Sequence, residues 1–475
     1  MKLRYLSHIT FAGMVMLLVT LASMASAQDK AKPAEVAAVA QENLAYAVGV
    51  QAYLYGQPLM DLYRTFWEGT LDPKRGHDRT LNEFNLVRKL VTAKDTWVVS
   101  PNSDTLYARG FLDLTDEPVV LHIPDMGARQ FWFPLGDMYH NLYQSLDWQT
   151  IGSKGGDFAL TAPGWQGLLP DGVGRIEMTT PMMWTLGRIT VDGEKDVPAV
   201  NALQDKTFLV PLSQWKKGMT NAPRAKIDPS RYPKMTNADM PDAEKFFTIM
   251  NEMLRRNPPV GDADYLLGWL REINLAPDQK FVWKDLDAAT QKGLTRAVKD
   301  ALVIIAEREK NFAPLVNGWV PAIMPGDQSN MPVYHAATTK LGLLYSQKEV
   351  STYHVGFVDG DGKPLNGTNT YTLKLAPPPP VAAFWSLTMY DAKTKLFVDN
   401  KSNRYAIGDR TAGIKTEKDG SLTITMSYAE PSGADAKANW LPTPKGPFYV
   451  VLREYSPGPA VLNGDWLPPK IEKAK

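Results

Sequence analysis

Apolar residues in this chain follow two rhythms. Between residues 96 and 215 they come in short runs: Trp97 to Val99, Val119 to Leu121, Phe131 to Phe133 and Trp184 to Val191. Prolines and turn pairs such as Asp192-Gly193 cut them apart. Asp157-Phe-Ala-Leu-Thr and Gly172-Val-Gly-Arg-Ile-Glu-Met continue the series. Runs of this length between turn residues predict strands, and strands at this spacing predict a sandwich or barrel. The rhythm returns from His335 onward, in Tyr371 to Leu375, Val381 to Tyr390, Ser421 to Met426 and Phe448 to Tyr455. The last of these is apolar enough for a central strand.

Elsewhere the period is helical. Tyr46, Val50, Tyr53, Leu54, Leu59, Leu62, Tyr63 and Phe66 mark one amphipathic helix, with a break expected near Gly56 and Pro58. Its tyrosine stripe reads as core. Asp242 is placed to cap a helix carrying Phe246, Phe247, Met250, Met253 and Leu254, which Asn257-Pro258-Pro259 stops. Tyr265 to Ile273 and Leu286 to Phe312 predict two more. The chain thus reads as mainly β with a helical middle, an α+β protein. The expected parts are a leader and helix over 28–95, a first β domain over 96–215, a helical segment over 216–334 and a second β domain over 335–475.

The first residues belong to none of these. Lys2 and Arg4 precede a mostly apolar run from Ile9 to Leu21, and Ala25-Ser26-Ala27 offers a small-x-small cleavage site. That pattern predicts a secretory signal peptide over 1–27 and a periplasmic or secreted location. The run is short for a span of ~20 residues, and no later stretch is apolar enough to cross a membrane. Without Lys2 and Arg4 the net charge is about −1, which gives no electrostatic case for nucleic acid or anionic membrane as a partner. With no cysteine in the chain, its core must hold it without disulfides, and thiolate metal sites and cysteine nucleophiles are excluded. The histidines left after cleavage show no metal-ligand spacing, so no metal or other cofactor is expected.

Candidate chemistry concentrates in 96–147. Asn102, Asp104, Tyr107 and Arg109 precede or enter one expected strand. Asp137, Tyr139 and Asn141 alternate, so on a strand they would share a face, either solvated or ligand-binding, with His140 packed on the other side. If the strands pair, the two sets line one concave site, with Asp104 and Asp137 as candidate acid/base carboxylates. The competing reading of Asn102 and Asp104 is a turn. Near the C-terminus Asn400, Arg404, Tyr405, Asp409 and Arg453 form a second polar set. Arg453 lies within an apolar strand. It either pairs with Asp391 or Asp409, or joins Arg404 in gripping an anion. Nucleophile elbows, zinc-protease motifs and phosphate loops are absent.

The run Asn102-Ser-Asp-Thr-Leu-Tyr, with Pro118-Val-Val-Leu, Pro124-Asp125, Arg129, Asp137-Met-Tyr-His-Asn, Pro163-Gly164-Trp165, Pro181, Gly187-Arg188-Ile189 and Ala202-Leu203-Gln204-Asp205, resembles the domain of unknown function 1254. Asn366-Gly367, Phe384-Trp-Ser-Leu-Thr-Met-Tyr-Asp, Asn403-Arg-Tyr-Ala-Ile-Gly-Asp, Asp419-Gly420, Asn439-Trp-Leu-Pro, Arg453 and Tyr455 resemble the domain of unknown function 1214. Gln130-Phe131 departs from the aromatic pair usual after the arginine. The resemblance implies jelly-roll-like β-sandwich domains around a helical segment, in exported bacterial proteins, and carries over no reaction. Three readings follow. One is a periplasmic protein binding a small polar ligand, sugar-like or anionic, through Asn102, Tyr107, Arg109, Tyr139, Asn141, Arg404 and Arg453. The second is a metal-independent hydrolase or lyase. The third is an envelope scaffold acting by oligomerisation. A concave cluster with a buried carboxylate would favour the second.

Overall fold

The computed structural model describes residues 33–72, 74, 81–96, 100–218, 228–259 and 263–474. The expected signal peptide and the expected strand at Trp97 to Val99 lie outside them. Nine strands build the first sandwich: β1 (Phe84–Leu86), β2 (Thr105–Asp113), β3 (Val119–Ile123), β4 (Phe131–Asp137), β5 (Leu142–Asp147), β6 (Gly156–Thr161), β7 (Val173–Glu177), β8 (Met182–Thr190) and β9 (Phe208–Pro211). They form two sheets, β1-β2-β8-β4-β5 and β7-β6-β3-β9. Alternation along the strands sorts the faces. Leu106, Ala108 and Leu112 of β2 and Met183 and Ile189 of β8 enter the core between the sheets, with Val119, Leu121, Leu160 and Leu209 opposite. The residues between them, among them Tyr107, Phe111, Trp184 and Arg188, therefore point out of the sandwich.

The second sandwich repeats the plan with β10 (Trp319–Ala322), β11 (Ser351–Gly356), β12 (Tyr371–Leu375), β13 (Val381–Asp391), β14 (Ala406–Gly408), β15 (Leu422–Ser427), β16 (Trp440–Pro442), β17 (Phe448–Pro457) and β18 (Glu472–Lys473). Its sheets are β10-β11-β17-β13-β14 and β16-β15-β12-β18, with β17 in the centre as its apolar sequence predicts. Leu387, Met389, Val450 and Leu452 face Leu373, Ile424 and Met426 across the core.

Five helices matter for the site: α1 (Pro33–Thr70), α2 (Ala243–Arg256), α3 (Asp264–Arg271), α4 (Ala288–Lys310) and α5 (Pro332–Gly342). The side chain of Asp242 caps α2 by accepting from the Lys245 N–H. Close approach of α1 and α4 rests on small residues: a Cβ at Gly49 would strike Ala297 and Leu294, and one at Gly293 would strike the Glu42 carbonyl. The expected break in α1 does not occur, and the helix runs through Pro58. A buried apolar face against α2, α4 and α5 offsets the one lost helical hydrogen bond. His335, expected to open the second run of strands, lies on α5 instead.

The outer face of the five-stranded sheet of the first sandwich has two covers. At one end Phe111, Met182 and Trp184 join the helical core. At the other end Trp132 meets Val350, Phe384 and Tyr455, so the second sandwich lies against the same sheet. Each cover encloses a polar assembly.

Candidate functional site

The first assembly forms around the turn between β4 and β5. β4 ends at Asp137, and the next residues fold back as a turn in which His140 takes a positive φ of 66°. Asp137, Tyr139 and Asn141 therefore gather at a hairpin tip rather than along a strand face, so the expected pleat geometry is replaced by a turn. Gly136 makes room for the Trp184 indole, which a Cβ would overlap. The indole Nε1–H donates to the Asp137 carbonyl at 3.1 Å and His140 stacks on its ring, 5.0 Å between centroids. The tip is fixed from three further sides. The Tyr139 hydroxyl donates to the Asn257 carbonyl at 2.7 Å, just past the end of α2. The backbone N–H of Leu142 donates to Gly326, and that of Gln328 to the Asn141 side-chain oxygen. Leu344 donates its N–H to Nε2 of His140 at 2.7 Å. The packed role expected for His140 is the one it has.

Asp137 is fully enclosed. Its Oδ1 accepts from the Asn141 backbone N–H at 2.8 Å, and its Oδ2 accepts from the Thr179 hydroxyl at 3.1 Å. These donors favour the ionised form, but burial outweighs them and pushes the carboxyl up to about 6. Beside it opens a small cleft, lined among others by Tyr55, Tyr139, Tyr143, Thr180, Ser329 and His335. The Tyr55 and Tyr139 rings lie 5.4 Å apart, and Tyr143 is 47% exposed at the surface. Burial pushes the His335 imidazole down to about 4, so it is uncharged at neutral pH. Leu54 and Pro58 of α1 close the apolar side. Among the described residues no three His, Asp or Glu gather closely enough to hold a metal ion.

The second assembly lies between the sandwiches. Asp104 accepts from the Ser386 hydroxyl at 2.6 Å and from the Tyr455 hydroxyl at 3.1 Å, and Asn102 donates its amide to Tyr455 at 2.8 Å. The Asn102 side-chain oxygen also accepts from the Asp104 N–H at 2.7 Å, which is the turn reading of this pair. Arg453 donates to the Thr388 and Tyr390 hydroxyls, both at 2.7 Å, not to Asp391 or Asp409. Asp391 instead accepts from its own turn, and Asp409 from the Trp385 N–H. Tyr107 sits across from Arg188, whose guanidinium lies 5.6 Å from its ring centroid and donates to the Tyr353 hydroxyl at 3.3 Å.

The two expected sets thus do not line one site. Asp104 is opposite Val191 and Asp137 opposite Met183 of β8. Along that strand they are about eight residue steps apart, roughly 26 Å. The Arg109 guanidinium lies 5.7 Å from the Phe111 ring centroid. Arg404 donates to the Ala438 and Trp440 carbonyls, both at 3.0 Å, and is engaged in holding a loop. Arg129 makes a two-pronged pair with Asp196 at 2.6 and 2.8 Å. Sequence reasoning missed Tyr55, Tyr143, Thr180 and His335. Tyr143 continues the Asp137-Met-Tyr-His-Asn-Leu-Tyr run and was open to notice. Tyr55 and His335 are brought to the cleft only by helix packing.

Residues 81–211 match the family described as Protein of unknown function (DUF1254), and residues 350–459 match Protein of unknown function (DUF1214). The chain thus combines a DUF1254 segment with a DUF1214 segment, in the expected order. The DUF1254 match spans all nine strands of the first sandwich, and the DUF1214 match runs from β11 to β17. Helices α1 to α5 lie outside both, so the cleft joins a DUF1254 hairpin to α1, α5 and the segments beside them. A crystal structure of the VPA0106 protein from Vibrio parahaemolyticus is similar over 91% of this chain and 100% of its own, with 25% identity and a TM-score of 0.70. An uncharacterised protein from Burkholderia cenocepacia matches over 98% of this chain and 96% of its own, at 13% identity and a TM-score of 0.44. No curated protein matches the chain.

Proposed function

We propose that this is an exported enzyme that binds a small polar molecule in the Asp137 cleft and transfers a proton to or from it through the Asp137 carboxyl. One observation carries this reading. A buried carboxyl group held at about 6 borders a concave, tyrosine-lined space, and that is the condition a general acid or base needs near neutral pH. The reaction class this supports is hydrolysis or elimination. Asp104 does not share the role, because its side chain is bound between Ser386 and Tyr455. An anion grip by Arg404 and Arg453 has little support, since carbonyls and hydroxyls occupy them. Export rests on the N-terminal pattern alone. Mass spectrometry of the periplasmic fraction should find an N-terminus at Gln28, and an intact Met1 there would count against it.

The functional test is a screen of the purified protein and its Asp137→Asn variant against chromogenic esters, glycosides and unsaturated-product-forming substrates. Turnover by the wild type with an apparent pKa near 6, absent from the variant at unchanged fold, is the expected result. Equal turnover by both proteins, or none by either, would remove the acid/base assignment.

A further inference from the structure

The cleft has an electrical sign. Among the described residues, its lining holds the Asp137 carboxyl and no lysine or arginine. Asp327, exposed beside the mouth, adds a second carboxylate that acts on Tyr143, Tyr345 and His335. A buried carboxylate is ordinarily paired with a cation, but the partners of Asp137 are neutral donors.

The hydrogen-bonding character of the walls points the same way. His335 is 4% exposed, lines the cleft, and its Nε2 has no partner. The backbone of His140 lies toward the other side of the ring, and with the ring proton on that side Nε2 is a lone pair. Tyr139 gives its hydroxyl proton to the Asn257 carbonyl, so toward the cleft its oxygen can only accept, with the Tyr55 hydroxyl beside it. Pro58 has no N–H to offer the Leu54 carbonyl one turn earlier, and both residues line the cleft. Acceptors thus stand on the walls beside the Tyr55, Tyr143 and Ser329 hydroxyls, which can donate or accept, and the Tyr55, Tyr139 and Tyr143 rings offer faces that attract a cation.

We propose that the molecule taken by this cleft carries a positively charged nitrogen with N–H donors: a small primary or secondary organic amine, its ammonium set between Asp137 and His335. This rests on reading the cleft as the ligand site, but not on Asp137 being a catalyst. An ammonium would supply the counter-charge that the neutral donors around the buried Asp137 carboxylate do not. Its N–H groups fill acceptors that a carboxylate or phosphate ligand could not.

Binding should follow the ionisation of Asp137. Among the described residues, the titratable groups facing it are Tyr55 from α1, Tyr139, His140 and Tyr143 from the hairpin, and Asp327, His335 and Tyr345 from the opposite wall. Burial pushes the tyrosines up and the histidines down, so Asp137 is the buried group that changes charge between about pH 5 and 7.

Two probe series of matched shape test the idea by calorimetric titration into the full chain: benzylamine, benzyl alcohol and benzoate, and 1,4-diaminobutane, 1,4-butanediol and succinate. At least one amine should bind at least tenfold more tightly than its alcohol and acid. Its affinity should rise about tenfold from pH 5 to pH 7, as the ionised fraction of Asp137 does. Asp137→Asn should abolish the preference for the amine. His335→Leu should weaken amine binding and His335→Gln restore it through the amide oxygen. If neither amine outbinds its alcohol, or if the preference survives in Asp137→Asn, the proposal is wrong. Amine binding without turnover in the screen above would instead remove catalysis and keep the ligand class.

Discussion

Asn102, from the loop ahead of β2, donates its side-chain amide to the hydroxyl of Tyr455 in β17, 2.8 Å away and 353 residues along the chain. The Tyr455 hydroxyl in turn donates to Asp104. One phenol oxygen thus joins the two sandwiches, and all three residues are buried. Replacing Tyr455 with Phe would leave the Asn102 amide without that acceptor and Asp104 short of one donor. A loss of roughly 1–3 kcal/mol is expected, the usual cost of unsatisfied buried polar groups. Urea denaturation of Tyr455→Phe reads it directly. A midpoint unchanged from wild type would mean that water replaces the hydroxyl at no cost.

Asp137 makes a different demand on the fold. Its carboxyl is raised by burial to about 6, above the value near 3.9 of an unfolded chain. The folded state therefore holds this proton more tightly than the unfolded state. The group's contribution is fully present below about pH 4 and is lost as pH rises through 6. Asp137→Asn cannot ionise and should escape the loss. The variant should gain on wild type by roughly 2–3 kcal/mol between pH 4 and pH 7, at 1.36 kcal/mol per unit. Parallel stability curves for the two proteins over that range would contradict the burial argument.

Gly136 supplies a steric test of how the site is held. A Cβ there would overlap the Trp184 indole, which anchors the Asp137 carbonyl. Gly136→Ala should cost ~1–3 kcal/mol as an overpacking change and displace the hairpin tip. Quenching of tryptophan emission and the apparent pKa of Asp137, followed by carbon NMR, should both change. A change in stability alone, with the Asp137 titration intact, would show that the indole does not position the carboxyl.

Between the sandwiches, Tyr353 accepts hydrogen bonds from Arg188 and from the Ser351 hydroxyl, and the Arg453 guanidinium lies 6.0 Å from its ring centroid. Burial pushes its phenol up, but the two guanidinium groups and these donors outweigh burial and hold it below the ordinary tyrosine value. On alkaline titration one tyrosine should ionise ahead of the rest, seen as absorbance growing at the phenolate band. The early step should vanish in Tyr353→Phe and move to higher pH in Arg188→Met. If it persists in Tyr353→Phe, the early phenol belongs to another residue.

Much of the fold was legible because it rests on local rules. The alternation in Tyr371 to Leu375 and the apolar run from Phe448 appear as β12 and central β17. Asp242 caps the helix it was expected to cap. Where the reading failed, a contact distant in sequence decided. Pro58 suggested a break that packing overrode. His335 was assigned to strands because its partners, Pro332 onward in α5 against the β4–β5 turn, are set by tertiary contacts. Asp137, Tyr139 and Asn141 were singled out correctly as neighbours but on the wrong geometry. Only the backbone shows that His140 turns with positive φ, and the sequence Met-Tyr-His-Asn carries no glycine to signal it. Asp104 and Asp137 are chemically alike in sequence. What separates them is the length of β8, and that distance is invisible until strand register is known.

That shared sheet face also bears on how the molecule can be divided. The boundaries of the two sequence families suggest modules that could be cut apart, recombined or produced singly. A DUF1254 half alone would expose Trp132, Arg188 and Asp104 to water along one flank. It would also lose the helices that roof the β4–β5 turn on the same sheet. The sequence carries two separate patterns, but packing joins them: the unit of stability here is larger than either match.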